Sequence, residues 1–101
     1  MPVAIWTPKA ELDLEDLLYY IRVTAGRPLT AQKIGQEIVS VVDRQTQHSL
    51  SGPHHPATPS EWRYLRHKRW LIFYQPHPQG IEVMRVVDGA RDLPRALGES
   101  P

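Results

Sequence analysis

The first half of the chain carries its apolar residues at helical spacing. A short apolar segment, Val3–Trp6, has the composition of a β-strand, and the pair Thr7-Pro8 that follows suits the start of a helix. The next apolar side chains recur three and four positions apart, as on one buried face of a helix. Gly26 and Pro28 end this pattern. The predicted stripe comprises Leu14, Leu17, Leu18, Ile21 and Ala25.

A second helical pattern runs from about Leu29 to about His48. Gly35 lies inside it and weakens a helix by about 1 kcal/mol relative to alanine. Either the second helix tolerates this loss of stability, or Gly35 lets the first helix approach closely. We favour the close approach. The short Gly-Arg-Pro link between the two patterns predicts an antiparallel helical hairpin. The second stripe comprises Ala31, Ile34, Ile38, Val41 and Val42.

The second half of the chain reads as strands that follow a loop. Ser51–Ser60 contains one glycine and three prolines, which predicts a loop without regular structure. Pro76–Gly80 is the predicted turn of a hairpin between the last two strands. The three predicted strands are Trp62–His67, which alternates, Trp70–Gln75, which is continuously apolar, and Ile81–Val87.

This order of elements predicts an α+β fold. An N-terminal strand and an antiparallel helical hairpin pack on an antiparallel sheet that three C-terminal strands complete, and a short C-terminal helix follows. The apolar middle strand is expected to be central and covered on one face by the helices. Asp92 is predicted to cap the last helix, Leu93–Leu97, which Gly98 closes. The length of 101 residues suits a single domain, residues 1–101.

Composition narrows the class of protein. Apolar residues at 41% and charged residues at 23% are ordinary globular usage, which argues against disorder. The absence of cysteine excludes disulfides, thiolate metal sites and cysteine nucleophiles. The longest uninterrupted apolar run, Trp70–Tyr74, is far too short for a transmembrane helix, and no secretory signal is visible. We therefore expect a cytoplasmic protein that has no membrane partner.

The net charge is +1, but the charged residues are unevenly distributed along the chain. Residues 1–26 carry two cations against four carboxylates, a net charge of −2, whereas residues 61–79 carry four cations against Glu61, a net charge of +3. Because charges act locally in salt solution, the basic segment matters more than the total. It is either a solvated face of a hairpin or a surface that meets an acidic partner.

Motifs for catalysis and metal binding are missing from the sequence. The five histidines are scattered without metal-ligand spacing, so we predict neither a metal site nor a cofactor. No serine lies in a nucleophile-elbow motif, and the dispersed glycines form no phosphate-binding loop. Asp13, Glu15 and Asp16 are explained by the preference of early helical turns for negative charge. No catalytic residue is therefore assigned.

The arginines carry more information. Arg85 lies within an apolar strand and must pair with a carboxylate, reach the open face or await a partner. Asp88 or a residue of another element could neutralise it, and the sequence leaves this pairing and an external ligand equally open. Aromatic residues interleave with the arginines, as in stacking platforms for single-stranded nucleic acid. Because small domains use such aromatic residues to fill the core, core filling is the interpretation we favour. They are Trp62, Tyr64, Trp70, Phe73 and Tyr74.

Three stretches of the sequence together resemble the RelE/ParE toxin superfamily of type II toxin–antitoxin modules. They are the opening "IWTPKAELDLEDLLYYI", the central "RYLRHKRWLIFYQP" and the closing "GIEVMRVVDGARDLPRAL", which is the most specific of the three. The resemblance covers most of the chain and has the same element order. It implies a small toxin held inactive by an antitoxin, in a hetero-oligomeric complex.

The superfamily divides by target. RelE-like members resemble ribosome-dependent ribonucleases that cleave messenger RNA, whereas ParE-like members resemble inhibitors of DNA gyrase. RNA cleavage needs proton-transfer groups beside phosphate-binding cations, and RelE-like members typically place a histidine or tyrosine near the C-terminus. Here the last tyrosine is Tyr74 and the last histidine is His77, and Asp88 stands where many relatives have histidine.

The resemblance is therefore to the ParE side, and the closing "GARDL" supports it. We expect a gyrase-inhibiting toxin without enzymatic activity; a RelE-like ribonuclease and an inactive relic that binds only its antitoxin are the alternatives. The candidate residues for toxicity and target binding are Arg63, Arg66, Arg69, Arg85 and Arg91. The candidate residues for antitoxin binding are Leu14, Leu18, Tyr74 and Arg85.

Overall fold

A computed structural model gives the arrangement of residues 1–91 and 93–98. The chain runs in the predicted order through four strands, two long helices and a short one. A π-helical turn, Tyr20–Thr24, follows the first helix, and a 3-10 turn, Thr46–His48, follows the second. The elements are β1 (Val3–Trp6), α1 (Pro8–Tyr19), α2 (Pro28–Gln45), β2 (Arg63–His67), β3 (Trp70–His77), β4 (Gly80–Asp88) and α3 (Leu93–Gly98).

The sheet has the strand order β1-β4-β3-β2. The three C-terminal strands are antiparallel as predicted, and β3 lies between two neighbours. β1, however, pairs with β4 in parallel, with Val3 opposite Gly80, so the sheet is mixed rather than antiparallel. The direction of β1 was not predictable, because the helical hairpin and not a tight turn connects it to the sheet. Gly80 has a φ of 146°, and a side chain there would meet the backbone of Val3.

The hairpin turn between β3 and β4 is shorter than predicted. β3 continues through Pro76 to His77, which leaves only Pro78 and Gln79 in the turn. Proline is tolerated here because β2 begins at Arg63, opposite Tyr74, so the part of β3 beyond Tyr74 pairs only with β4 in the described sheet.

Both helices pack on one face of the sheet, as predicted. Thr7 caps α1 by accepting a hydrogen bond from the Ala10 amide at 3.1 Å. A side chain on Gly35 of α2 would come within 3.1 Å of Leu18, which confirms the close approach of the helices. The buried residues of this core are Ala10, Ile34, Ile38, Val42, Ile72, Tyr74, Ile81, Val83 and Val86, with Leu14, Leu17, Leu18, Ile21 and Val41 packed against them.

Ala25, the last member of the predicted first stripe, is exposed. Its amide donates to the carbonyl of Tyr20, five residues back, because the helix widens to π geometry after α1. The wider turn rotates the following residues away from the face that faces the sheet. The predicted stripe is therefore correct only as far as Ile21.

The sheet has a second buried face, which the sequence did not predict. Leu71 and Phe73 alternate with Ile72 and Tyr74, so they point away from the helices. They pack with Val87 and Leu93, and with residues of the loop before β2. The predicted cap at Asp92 lies outside the described residues. No helix within residues 1–91 and 93–98 has the length and hydropathy needed to cross a bilayer.

The depth of each stripe residue predicts the cost of truncating it. Ile38 is fully buried, whereas Leu17 is only partly buried. We expect Ile38→Ala to lower the free energy of unfolding by about 2–5 kcal/mol, and Leu17→Ala to cost less. Urea denaturation of the two variants measures the difference, and an equal or larger loss for Leu17→Ala would contradict this packing.

Candidate functional site

Three of the five candidate arginines meet at one end of the sheet. Arg66 of β2, Arg69 of the β2–β3 turn and Arg91 beyond β4 surround the turn at Gly89. All three are exposed. We call Arg66, Arg69, Asp88, Gly89 and Arg91 the Gly89 cluster.

Backbone hydrogen bonds hold this end of the sheet together. The Gly89 amide donates to the carbonyl of Arg69 at 2.7 Å, and the Arg91 amide donates to the carbonyl of Asp88 at 3.1 Å. Lys68 has a φ of 54°, a left-handed conformation that lets β2 reverse directly into β3. The cluster therefore rests on two turns that are tied to each other.

Asp88 is the carboxylate of the cluster. Its Oδ2 forms an ion pair with Nη2 of Arg69, and its Oδ1 accepts a hydrogen bond from the Ala90 amide at 2.9 Å. Partial burial opposes ionisation, but the hydrogen bonds from Arg69 and Ala90 and the charges of Arg69 and Arg91 outweigh it and lower the pKa of Asp88. The hydrogen bond to Asp88 likewise raises the pKa of Arg69. Asp88 therefore stays charged at neutral pH and offsets part of the positive field.

Gly89 makes room for Arg66. A side chain at this position would lie 3.2 Å from Nη1 of Arg66 and 3.0 Å from the carbonyl oxygen of Arg69. The guanidinium of Arg66 therefore lies close over the turn. The result is three arginines against one carboxylate, a local net charge of +2, at a solvent-exposed end of the sheet.

Arg63 lies apart from this cluster, at the opposite end of β2. Its Nη1 donates to the carbonyl of Gly52 at 2.8 Å, which fixes the preceding loop to the strand. Arg63 therefore has a structural contact of its own.

Tyr74, a predicted antitoxin contact, belongs to the core. It is fully buried, and Nε2 of Gln45 donates to its hydroxyl at 2.9 Å. Burial raises its pKa. A side chain on Gly52 would overlap the hydroxyl at 2.2 Å, so the loop closes directly over the ring. Tyr74 supports the fold and is not available to a partner on this surface.

Arg85, predicted for both surfaces, is also withdrawn from solvent. Its Nε donates to Oδ2 of Asp13 at 2.7 Å and its Nη2 to Oδ1 at 3.3 Å, and the Val86 amide adds a bond to Oδ2 at 3.0 Å. Arg85 is 8% exposed. Of the two open interpretations, internal pairing is correct, and the partner is on α1 rather than Asp88. Asp13 was not predicted as the partner of Arg85, because the helix dipole already explained an acidic residue early in α1.

β4 contains one extra residue next to this ion pair. Val83 pairs with Tyr74 and Arg85 pairs with Phe73, which leaves Met84 unpaired as a bulge. Val83 and Val86 both face the helices despite an odd spacing of three residues. The bulge thus changes the alternation of β4 next to the arginine that meets α1.

The helical hairpin carries most of the exposed large apolar side chains. Leu14 and Leu18, the other antitoxin candidates, are half-buried against the core. Larger exposed areas belong to residues that the sequence analysis passed over, because they fall outside the buried stripes. They are Leu12, Tyr19, Tyr20, Val23, Leu29 and Val39, and we call them the hairpin patch.

The aromatic residues of the strands fill the core. Phe73 packs against Tyr64, Trp62 and His55, with ring centroids 5.8, 6.1 and 6.0 Å away. This arrangement supports the packing interpretation over a stacking platform. Within residues 1–91 and 93–98, no three histidines or carboxylates come together as a metal site.

One titratable pair lies close to the basic turn. Nε2 of His67 lies 2.8 Å from Oε1 of Glu37 on α2, and Lys68 Nζ approaches the same oxygen at 3.3 Å. The hydrogen bond to His67 lowers the pKa of Glu37. The pair joins α2 to the end of β2.

A helical hairpin packed on a mixed four-stranded sheet, with a basic cluster at one end of the sheet, defines a small α+β domain. The family model described as "ParE toxin of type II toxin-antitoxin system, parDE" matches residues 4–93. The chain therefore belongs to the ParE toxin family and is the toxin component of a type II toxin–antitoxin module.

A solved structure supports this assignment. The chain is similar to one from P. aeruginosa titled "Chromosomal ParDE TA system", with 27% sequence identity and a TM-score of 0.71. The similarity covers 87% of this chain and 96% of that one. A comparison with curated protein sequences gave no match.

The Asp13–Arg85 pair predicts a specific pattern of stability. Removing either partner leaves the other charge buried, so Asp13→Ala and Arg85→Met should each cost about 3–5 kcal/mol. The double variant should be less destabilised than the sum by more than about 1 kcal/mol, because the two side chains contact each other and each single variant already removes that contact. Denaturation of all four proteins measures this coupling, and strictly additive losses would show that the pair does not join α1 to β4.

Proposed function

We propose that this toxin inhibits DNA gyrase by binding, without chemistry of its own, and that an antitoxin neutralises it. The Gly89 cluster carries the proposal: it is the exposed concentration of arginines in a chain of net charge +1. Arginine binds carboxylates and phosphates through paired hydrogen bonds, and both groups are present where gyrase holds DNA. A gyrase inhibitor acts in the cytoplasm, which is the proposed location.

The antitoxin is proposed to bind the hairpin patch. Protein interfaces need an apolar centre, and the exposed apolar side chains of α1, the π turn and α2 offer one. Leu14 and Leu18 of α1 are half-buried against the core. A partner segment that folds on binding would bury them further and form a hetero-oligomeric complex.

The placement of proton-transfer groups supports binding over cleavage. Tyr74 is buried, and Nδ1 of His77 accepts the Gln79 amide at 3.1 Å in the β3–β4 turn. β3 and β4 separate this turn from the Gly89 cluster, since His77 pairs with Gly80 while Trp70 pairs with Asp88 at the other end. General acid–base catalysis requires such groups within hydrogen-bond reach of the reacting atoms.

A ribonuclease is the second candidate because of His67 and Glu37. Their pair lies next to Arg66 and Lys68 in the chain, and a histidine–carboxylate pair beside cations is an arrangement that RNA cleavage can use. Against it, His67 has a side-chain exposure of 19% and its Nε2 is engaged by Glu37. His67→Gln separates the two functions, because only cleavage depends on proton transfer.

The deciding experiment compares two targets. Purified toxin is incubated with gyrase and supercoiled plasmid, and in parallel with ribosomes programmed with messenger RNA. We expect gyrase inhibition that His67→Gln preserves. Cleaved messenger RNA with unaffected gyrase would establish the ribonuclease, and no effect on either target would indicate a relic.

Each arginine of the cluster should make a partial contribution to gyrase inhibition. Arg66→Gln, Arg69→Gln and Arg91→Gln should each weaken gyrase inhibition by about 1–3 kcal/mol where the contact excludes water. Arg44→Gln on α2 removes the same charge from an exposed site outside the cluster and should leave inhibition unchanged. Titration of gyrase supercoiling activity measures all four variants; equal losses for Arg44→Gln would show that only net charge matters.

A further inference from the structure

We propose that the Gly89 cluster binds the phosphate backbone of duplex DNA, and that Asp88 is a built-in counterion that limits this affinity. The inference deepens the proposed function, since it names the group that the arginines meet when gyrase holds DNA. It is argued from the charges, exposure and surroundings of the cluster.

The cluster presents cations on separate segments that converge on one turn. Arg66 comes from β2, Arg69 from the β2–β3 turn and Arg91 from the segment after β4. Lys68, in the same turn as Arg69, has a side chain that is 53% exposed, but its Nζ lies 3.3 Å from Oε1 of Glu37, so it adds little net positive charge. Phosphate binding depends on several exposed cations acting together, without any deep pocket.

Apolar surface distinguishes a nucleic acid from an acidic protein here. In residues 1–91 and 93–98, every exposed large hydrophobic side chain lies outside β2, β3, β4 and the turn at Gly89. A protein partner would need an apolar centre in its interface, whereas protein–DNA interfaces are more polar and strongly positive. The cluster therefore fits phosphates, and the hairpin patch fits a protein.

Asp88 occupies the position that a phosphate would take. Its carboxylate neutralises Arg69 and interacts with Arg91, so an incoming phosphate competes with it for these groups. Asp88→Asn removes the competing charge, and the amide oxygen can still accept the hydrogen bond from Ala90. This substitution therefore tests the counterion role with the turn preserved.

The experiment measures binding of a fluorescently labelled DNA duplex by anisotropy between roughly 50 and 200 mM salt. We expect weak, salt-dependent binding by the native chain and several-fold tighter binding by Asp88→Asn at low salt. Arg66→Gln and Arg69→Gln should weaken binding and reduce the logarithmic salt slope by about 1 each. Thermal melting confirms that each variant is folded.

Asp43→Asn is the matched control. It makes the same change of charge at an exposed site in the last turn of α2. We expect it to leave DNA binding near that of the native chain. An equal gain from Asp43→Asn would overturn the inference, because net charge and not the cluster would govern affinity.

Two further outcomes would overturn the inference. One is that neither the native chain nor the two arginine variants nor Asp88→Asn binds the duplex at 50 mM salt. The other is that labelled poly-glutamate binds through Arg66 and Arg69 while DNA does not, which would identify an acidic protein as the partner. Because no gyrase is present, failure here with intact gyrase inhibition would reject DNA contact and leave the proposed function standing.

Discussion

The ion pair between Asp13 and Arg85 determines how the two layers of this toxin meet. It is a hydrogen-bonded contact of a helix side chain with the middle of a strand, 72 residues apart in sequence. Arg85 is almost fully buried, and a buried charge costs several kcal/mol unless a counterion neutralises it. Asp13 also accepts the amide of Val86, so one carboxylate holds both the side chain and the backbone of β4. The same helix makes the close contact with α2, where a side chain on Gly35 would come within 3.1 Å of Leu18.

The pair also changes which arginines have access to a target. Arg85 is neutralised internally and Arg63 is engaged by the loop at Gly52, so neither projects freely from the sheet. Arg66, Arg69 and Arg91 remain exposed around a glycine turn, with Asp88 among them. The charge asymmetry of the sequence thus becomes a single basic end of the sheet. Most of the exposed large apolar residues lie instead on the helical hairpin, which separates the proposed antitoxin surface from the proposed target surface.

The helices and strands were predictable because their signals are periodic or continuous. The stripe from Ala31 to Val42 repeats at helical spacing, and β3 is an uninterrupted apolar run. Which partner covers each face of that run was not predictable, because a continuous run has no alternation to divide one face from the other. The hairpin turn was predicted to begin at Pro76, whereas β3 continues through this residue. Proline fits there because β2 does not extend beyond Tyr74, and this is a property of the assembled sheet.

The candidate site was predictable in composition but not in arrangement. Counting arginines identified the basic segment, but only the fold shows that Arg91 returns to Arg66 and Arg69. Tyr74 was predicted to contact the antitoxin because its own segment does not show that Gly52 of the preceding loop packs against its hydroxyl. Asp13 and Arg85 are far apart in sequence, and each had a sufficient local explanation. Local sequence patterns therefore could not predict this long-range pairing of charges.

The central claim is that the toxin meets its target with the Gly89 end of the sheet and leaves the helical hairpin to the antitoxin. Hydrogen–deuterium exchange of the toxin, alone and bound to gyrase with DNA, tests it most directly. The account predicts slower exchange in residues 63–69 and 86–91, with residues 8–45 unchanged. Protection confined to residues 8–45 would contradict it.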